Sequence, residues 1–435
     1  MRMQVPIYRE IEAEAFLQRL QDLRRLEDAE VERVARDIID EVRRRGDEAL
    51  LELTRIYDGA SLSRGSLRAS PSEFDEAWDG TDPEVRAALA EAAKNIHRFH
   101  QRPLPDSWLT WEEGGVILGE RFSPIRRVGV YVPGGRAAYP STLLMCAIPA
   151  KVAGVEEIAV CTAPTREGKA NPLVLVAARI AGVDEVYKVG GAQAIAALAF
   201  GTESIPPVDK IVGPGNAYVT AAKRLVFGYV GIDMLAGPSE VVILADDSAQ
   251  PSYVAADLLA QSEHDPLSMA LLVTPSERLS QAVASELEDQ LRTLPRREIA
   301  EESLKKHGGI LLGRDLEQCL AWIDRIAPEH LGIHVREPWA VLPRLRHAGS
   351  IFLGIHSPEA VGDYWAGPNH VLPTGASARF SSALSVRDFV KASNLISYSK
   401  EALLTHGSKI ARLARAEGLE GHARAIETRV KTHAD

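Results

Sequence analysis

From residue 128 the chain alternates short β-branched runs with helix-patterned stretches, and that rhythm admits few folds. Residues 128–132, 158–160, 185–189, 209–212 and 241–244 read as buried strands. Between the first four and just after them, 142–153, 173–181, 192–200 and 217–227 carry helical patterning. Strand, helix, strand in this order predicts a parallel sheet with right-handed crossovers and helices on both faces. The rhythm resumes after Gln250, with strand candidates at 271–274, 310–312, 331–335 and 351–353, so two α/β units are expected.

The flanks read differently. Up to about residue 125 the pattern is mostly helical: Val31, Val34, Ala35, Ile38, Ile39 and Val42 recur at helical spacing, with Gly46 in the stopping position. A second helix is expected over 85–99, entered through Asp82-Pro83 and closed by Pro103 and Pro105. His97 and His100 share a face of it, but with no acidic residue or third histidine nearby they are read as surface or core residues. The tail from Ser385 reads as helix again, too thin to form a core of its own, so it is expected to dock on something else.

A net charge of -10 opposes binding to nucleic acid or an acidic membrane, and leaves small molecules as the expected ligands. Cys146, Cys161 and Cys319 form no CxxC pair, which argues against a disulfide framework or a thiolate zinc site and suits the cytoplasm. No signal-peptide pattern opens the chain, and no apolar stretch reaches membrane-helix length.

Ligands of open parallel sheets sit at the carboxyl ends of strands, which directs attention to Gly-rich strand-to-helix turns. Such turns are read at Tyr131-Val-Pro-Gly134-Gly135, Val189-Gly190-Gly191-Ala-Gln193, Val212-Gly213-Pro-Gly215-Asn216 and Ala236-Gly237-Pro-Ser239-Glu240. Backbone that approaches closely and helix N-termini suit a phosphate-bearing cofactor, although no turn matches G-x-G-x-x-G. The adjacent Glu329 and His330, at a strand entrance, offer two bases of different strength to an enzyme that needs two deprotonations. His334 is read as structural. Gln261 and His264 face one way near a helix end, and Asp363, His370 and His422 are further metal-type residues. Nitrogen and oxygen donors without thiolate would suit zinc, manganese or a related ion.

Taken together, YVPGG at Tyr131, VGGAQAIAALAFGTESIP at Val189, KIVGPGNAYV at Lys210, IDMLAGPSEV at Ile232, LLAQSEHDP at Leu258, APEHL at Ala327, SPEAVGDYWAGPNHVLPT at Ser357 and EGLEGHA at Glu417 resemble the histidinol dehydrogenase family, in the family's order. The resemblance implies a zinc-dependent, NAD-linked oxidation of L-histidinol to L-histidine through L-histidinal, with two NAD reduced. Zinc, one per subunit, would be held by Gln261, His264, Asp363 and His422, and would position the substrate through its amino and imidazole nitrogens. His330 would accept the alcohol proton, and Glu329 would activate water against the aldehyde. Ser239, His370 and Glu417 match further substrate contacts, beside Gln261, His264, His330, Asp363 and His422. Tyr131, Gln193 and Asn216 match cofactor contacts.

The implied architecture is α/β, with two Rossmann-like parallel-sheet domains, helical extensions at both ends and an intertwined homodimer. Residues 1–25 form the N-terminal extension, and 26–127 with 241–384 form a first α/β domain carrying the Glu-His pair and metal ligands. Residues 128–240 form a second, incomplete Rossmann-like NAD-binding domain, and 385–435 a tail completing the partner's site. The alternatives are a paralogous zinc and NAD dehydrogenase acting on another polar amino- or sulfo-alcohol, a zinc hydrolase using Glu329 as base, and a non-catalytic binding protein.

Overall fold

The computed structural model describes residues 5–25, 29–102, 105–134, 138–183 and 185–431. Gly135 of the first Gly-rich turn and both extreme termini lie outside them. The chain divides into two compact units, Met1–Arg102 with Arg126–Val386, and Pro103–Ile125 with Arg387–Asp435.

The strands are, in chain order, β1 (Ile7–Arg9), β2 (Trp108–Glu112), β3 (Val116–Pro124), β4 (Arg127–Val132), β5 (Glu157–Thr162), β6 (Glu185–Tyr187) and β7 (Lys210–Val212). They continue with β8 (Gly231–Ile232), β9 (Glu240–Ala245), β10 (Met269–Thr274), β11 (Gly309–Leu312), β12 (His330–His334), β13 (Ser350–Leu353) and β14 (Val390–Ser397).

Two parallel sheets organise the first unit. One has the order β6-β5-β4-β7-β8, so the direction of winding reverses between β4 and β7, as in a Rossmann sheet short of its last strand. The other has the order β1-β11-β10-β9-β12-β13. Helix Pro251–Ser262 and its neighbours cover one face of this sheet with Val254, Leu258, Leu279, Val283 and Leu304. Phe16, Leu17, Leu320, Trp322 and Ile323 cover the other. Burial on both faces explains why these strands are near-continuous apolar runs in the sequence.

Several boundaries differ from the sequence reading. Residues 7–25 are no appendage: β1 pairs with β11, and Ala13, Phe16 and Leu17 of helix Glu10–Arg25 enter the core. Helix Ala29–Arg45 lays Ala35, Ile38, Ile39 and Val42 against Ile195, Leu198 and Ala222, so it packs on the helices Gly191–Phe200 and Ala217–Val226 that cover the 128–240 sheet and not with 241–384. Its amphipathic stripe was legible, but nothing in such a stripe says what it packs against. Gly46 closes that helix with φ 54°, a left-handed conformation that suits glycine.

In the second unit β2 and β3 form an antiparallel hairpin, and β14 pairs with β3. The tail is therefore a strand before it becomes helices Lys400–Ala416 and Glu420–Lys431. β14 is exposed along nearly its whole length, so it lacks the apolar run that marks a buried strand. Among the described residues no helix is long and apolar enough to cross a membrane. The three cysteines are buried and free.

Candidate active site

A cavity of about 910 Å³ in the first unit is lined by the Pro214-Gly215-Asn216 turn, Ser239, Gln261, His264, Glu329, His330, Glu359, Asp363 and His370, among others. One sheet contributes the carboxyl end of β7, where ligands of parallel sheets are expected. The six-stranded sheet contributes the opposite edge: Glu329 and His330 stand at the amino end of β12, beside Glu240 at the amino end of β9. The Ala236–Glu240 segment, read as a strand-to-helix turn, instead leads into β9.

His330 Nδ1 lies 3.0 Å from the Glu240 carbonyl oxygen. Only a protonated Nδ1 can bond there, so Nε2 carries the lone pair, and Nε2 is buried without a hydrogen-bond partner. Burial pushes the His330 pKa down to about 3, which keeps the ring neutral, with its Nε2 lone pair available, at neutral pH. Glu329 Oε2 accepts from the Glu240 N–H at 2.8 Å, while burial raises its carboxyl well above the usual range. The two residues are 4% and 6% exposed for His330 and Glu329 respectively, so both are dry enough for such shifts.

Opposite them lies a set of metal-type donors. Gln261 ends helix Pro251–Ser262, and the next turn carries His264, whose N–H donates to the Gln261 carbonyl at 3.2 Å. Helix Glu359–Tyr364 adds Asp363, with Oδ1 3.9 Å from both His330 Nε2 and His370 Nδ1. Burial raises the Asp363 pKa to about 7. His370 approaches the Asp363 carbonyl through Nδ1 at 3.0 Å and Thr142 Oγ1 through Nε2 at 3.4 Å. Glu359, which sequence reasoning missed, is 6% exposed, and ligand-type atoms of His330, Glu359 and Asp363 all lie within 4.8 Å of one another. The signal was present: Glu359 and Asp363 are four apart on one helix and so share a face.

The turn that carries Asn216 is anchored from below. Lys223 Nζ donates to the Gly213 carbonyl at 2.9 Å and pairs with buried Asp233, whose other oxygen accepts from the Gly213 N–H at 2.7 Å. Asn216 caps helix Ala217–Val226 through its side chain and is exposed to the cavity. The other two expected cofactor contacts are placed differently. Tyr131 and Gln193 are 4% and 1% exposed and are not part of this cavity wall; the Tyr131 hydroxyl accepts from the Gly191 N–H at 3.0 Å. Glu417 and His422 belong to the second unit, where both are exposed, Glu417 ending helix Lys400–Ala416 and His422 within helix Glu420–Lys431.

Two parallel sheets meeting at a cavity that holds a neutral histidine, a buried carboxyl and nitrogen and oxygen donors define the α/β class of protein, with side chains suited to exchanging protons and to holding a metal ion. The family model for histidinol dehydrogenase matches residues 22–430. The histidinol dehydrogenase of Halalkalibacterium halodurans is 54% identical over 394 residues, 91% of this chain and 92% of that protein. That of Heliobacterium mobile is 50% identical over 98% of both chains. The crystal structure of histidinol dehydrogenase from Elizabethkingia anophelis superposes with a TM-score of 0.92 at 38% identity, covering 100% of this chain and 99% of that one. The chain belongs to the histidinol dehydrogenase family.

Proposed function

We propose that the chain oxidises L-histidinol to L-histidine through L-histidinal, the final steps of histidine biosynthesis, reducing two NAD per turnover in the cytoplasm. Membership of the family makes it an NAD-dependent oxidoreductase acting on histidinol. The observation that carries the mechanism is the pair of unlike proton acceptors, Glu329 and His330, held side by side by one residue, Glu240.

His330 Nε2 takes the alcohol proton as the carbinol carbon loses hydride to NAD, because its lone pair is unengaged and its ring is neutral. Glu329 then accepts a proton from the water that adds to the aldehyde. Its raised pKa makes the ionised carboxylate a stronger base than an exposed one. His330 acts again on the hydrate as the second hydride leaves. An aldehyde that stays bound in the cavity between the two oxidations is kept from side reactions in solvent.

The donor set fits zinc. Gln261, His264 and Asp363, all lining the cavity, offer amide oxygen, neutral nitrogen and carboxylate oxygen respectively, without thiolate. When bound, zinc supplies the charge that holds the amino and imidazole nitrogens of histidinol. Ser239 and His370 complete the substrate side, and Asn216 the cofactor side, with Tyr131 and Gln193 supporting the neighbouring Gly-rich turn.

His422 and Glu417 are assigned to the site of a second copy, as the fourth zinc ligand and a substrate contact in a homodimer with shared sites. The second unit supports this reading: among its described residues the buried large apolar side chains are Val116 and Phe389, whereas Trp108, Leu109, Trp111, Ile396, Tyr398 and Leu413 are exposed.

The test is NADH formation by purified protein given L-histidinol and NAD, with and without chelator. Two NADH per histidine, lost on chelation and restored by zinc, are expected. No turnover by folded, zinc-loaded protein would shift the assignment to another polar amino- or sulfo-alcohol.

A further inference from the structure

We infer that Glu359 is a positioning residue for the metal site: it orients the Gln261 amide so that the amide oxygen is offered as a ligand. This rests on the zinc reading above. Gln261 is completely buried beside Glu359, and the partners around its amide assign the end facing that carboxylate as nitrogen, which then donates to both carboxylate oxygens, at 2.5 and 3.0 Å. Against an ionised Glu359, the opposite orientation would set amide oxygen against carboxylate oxygen, two acceptors with no proton between them. With the nitrogen committed to Glu359, the amide oxygen is turned the other way.

An amide is a weak ligand with two unlike ends, so a metal site that uses one must specify which end it presents. Glu359 does this from within the same six-residue helix that carries Asp363. One short element thereby delivers a carboxylate donor and orients a second donor on another helix. Glu359 could itself be mistaken for a ligand, since its carboxylate lies near His330 and Asp363. Both of its oxygens, however, are engaged by the one Gln261 nitrogen, and His330 Nδ1, at 3.7 Å, is bonded elsewhere.

The experiment measures zinc affinity of the purified holoenzyme by competition with a chelator of known strength, independently of turnover. Gln261→Ala, Glu359→Met, Glu359→Gln and the double variant Gln261→Ala/Glu359→Met are compared, with folding verified by circular dichroism. Methionine removes both acceptors at nearly constant volume, so a cavity does not confuse the result. Glu359→Met is expected to weaken zinc binding by roughly 10- to 100-fold, the usual scale for a partner that orients a ligand. Glu359→Gln retains one oxygen facing Gln261 and should lose clearly less. The double variant should bind no worse than Gln261→Ala alone, because Glu359 acts only through that amide. Losses that multiply in the double variant, or an equal loss in Glu359→Gln and Glu359→Met, would show direct ligation and overturn the inference. Unchanged affinity in Gln261→Ala would instead remove the zinc assignment itself.

Discussion

Glu240 presents its carbonyl oxygen 3.0 Å from His330 Nδ1, and this contact decides which nitrogen of the ring is the base. The same residue donates its N–H to Glu329. β9 and β12 are parallel neighbours, so their first residues lie close together, and the first peptide groups of β9 meet the side chains at the entrance of β12. The two acceptors are thus set by backbone, which keeps their geometry independent of any mobile side chain.

Replacing Glu329 with glutamine keeps the shape and removes the second base. The first oxidation, to the aldehyde, should stay within about tenfold of wild type, whereas oxidation to histidine should fall by roughly 100-fold or more. Rapid-mixing measurement of the first NADH, set beside steady-state histidine formation, separates the two. An equal loss in both steps would remove the water-activating role.

Metal removal should make stability depend on pH. In the metal-free chain burial raises the Asp363 pKa from 3.8 to about 7. A carboxyl whose folded pKa is raised favours the fold fully below its unfolded pKa, and that contribution is lost as pH rises through the folded value. Relative to chelated Asp363→Asn, the chelated wild type should therefore lose melting temperature between pH 6 and pH 8, since the buried histidines contribute equally to both proteins. Melting curves at the two pH values decide it; the same change with pH in both proteins would contradict the assignment.

Gly213 has φ 112°, and a Cβ there would lie 2.2 Å from the Tyr131 carbonyl oxygen. Gly213→Ala should destabilise the protein by at least about 1–3 kcal/mol and displace the turn that carries Asn216. Thermal unfolding should show the loss, and the KM for NAD should rise more than kcat falls. A variant with wild-type stability and KM would mean the turn tolerates a side chain.

Mixed inactive variants test the shared site. His422→Ala and His330→Asn chains, each inactive alone, should regain part of the activity after subunit exchange, since one composite site per hybrid dimer would keep both groups. No recovery, with exchange proven by differently tagged chains, would place His422 in its own chain's site.

The alternation of apolar runs and helical stretches after residue 128 was sufficient to locate β4, β5, β7, β9, β10, β11, β12 and β13 to within a few residues. Such strands are buried on both faces, and burial leaves a mark in composition. β1 and β14 left none. The first is three residues of sheet edge, and the second is exposed. The β2–β3 hairpin did carry a signal, the Gly114-Gly115 pair with φ 78° and 77°, set between Trp- and Val-bearing segments.

For the site, motifs identified Glu329, His330, Gln261, His264, Asp363, His370, Ser239 and Asn216, all of which line one cavity. They did not identify Glu359, which meets the Gln261 amide about a hundred residues away in sequence.

Residue types and spacing alone determined the family, the parallel α/β class and the chemical identity of the bases and donors, because each depends on local pattern or on side-chain chemistry. What the Ala29–Arg45 helix packs against, which His330 nitrogen is free, and how far the Glu329 and Asp363 carboxyls are raised were decided only by tertiary structure. Packing partners, hydrogen-bond partners and desolvation all depend on groups distant in the chain, and no local pattern encodes them.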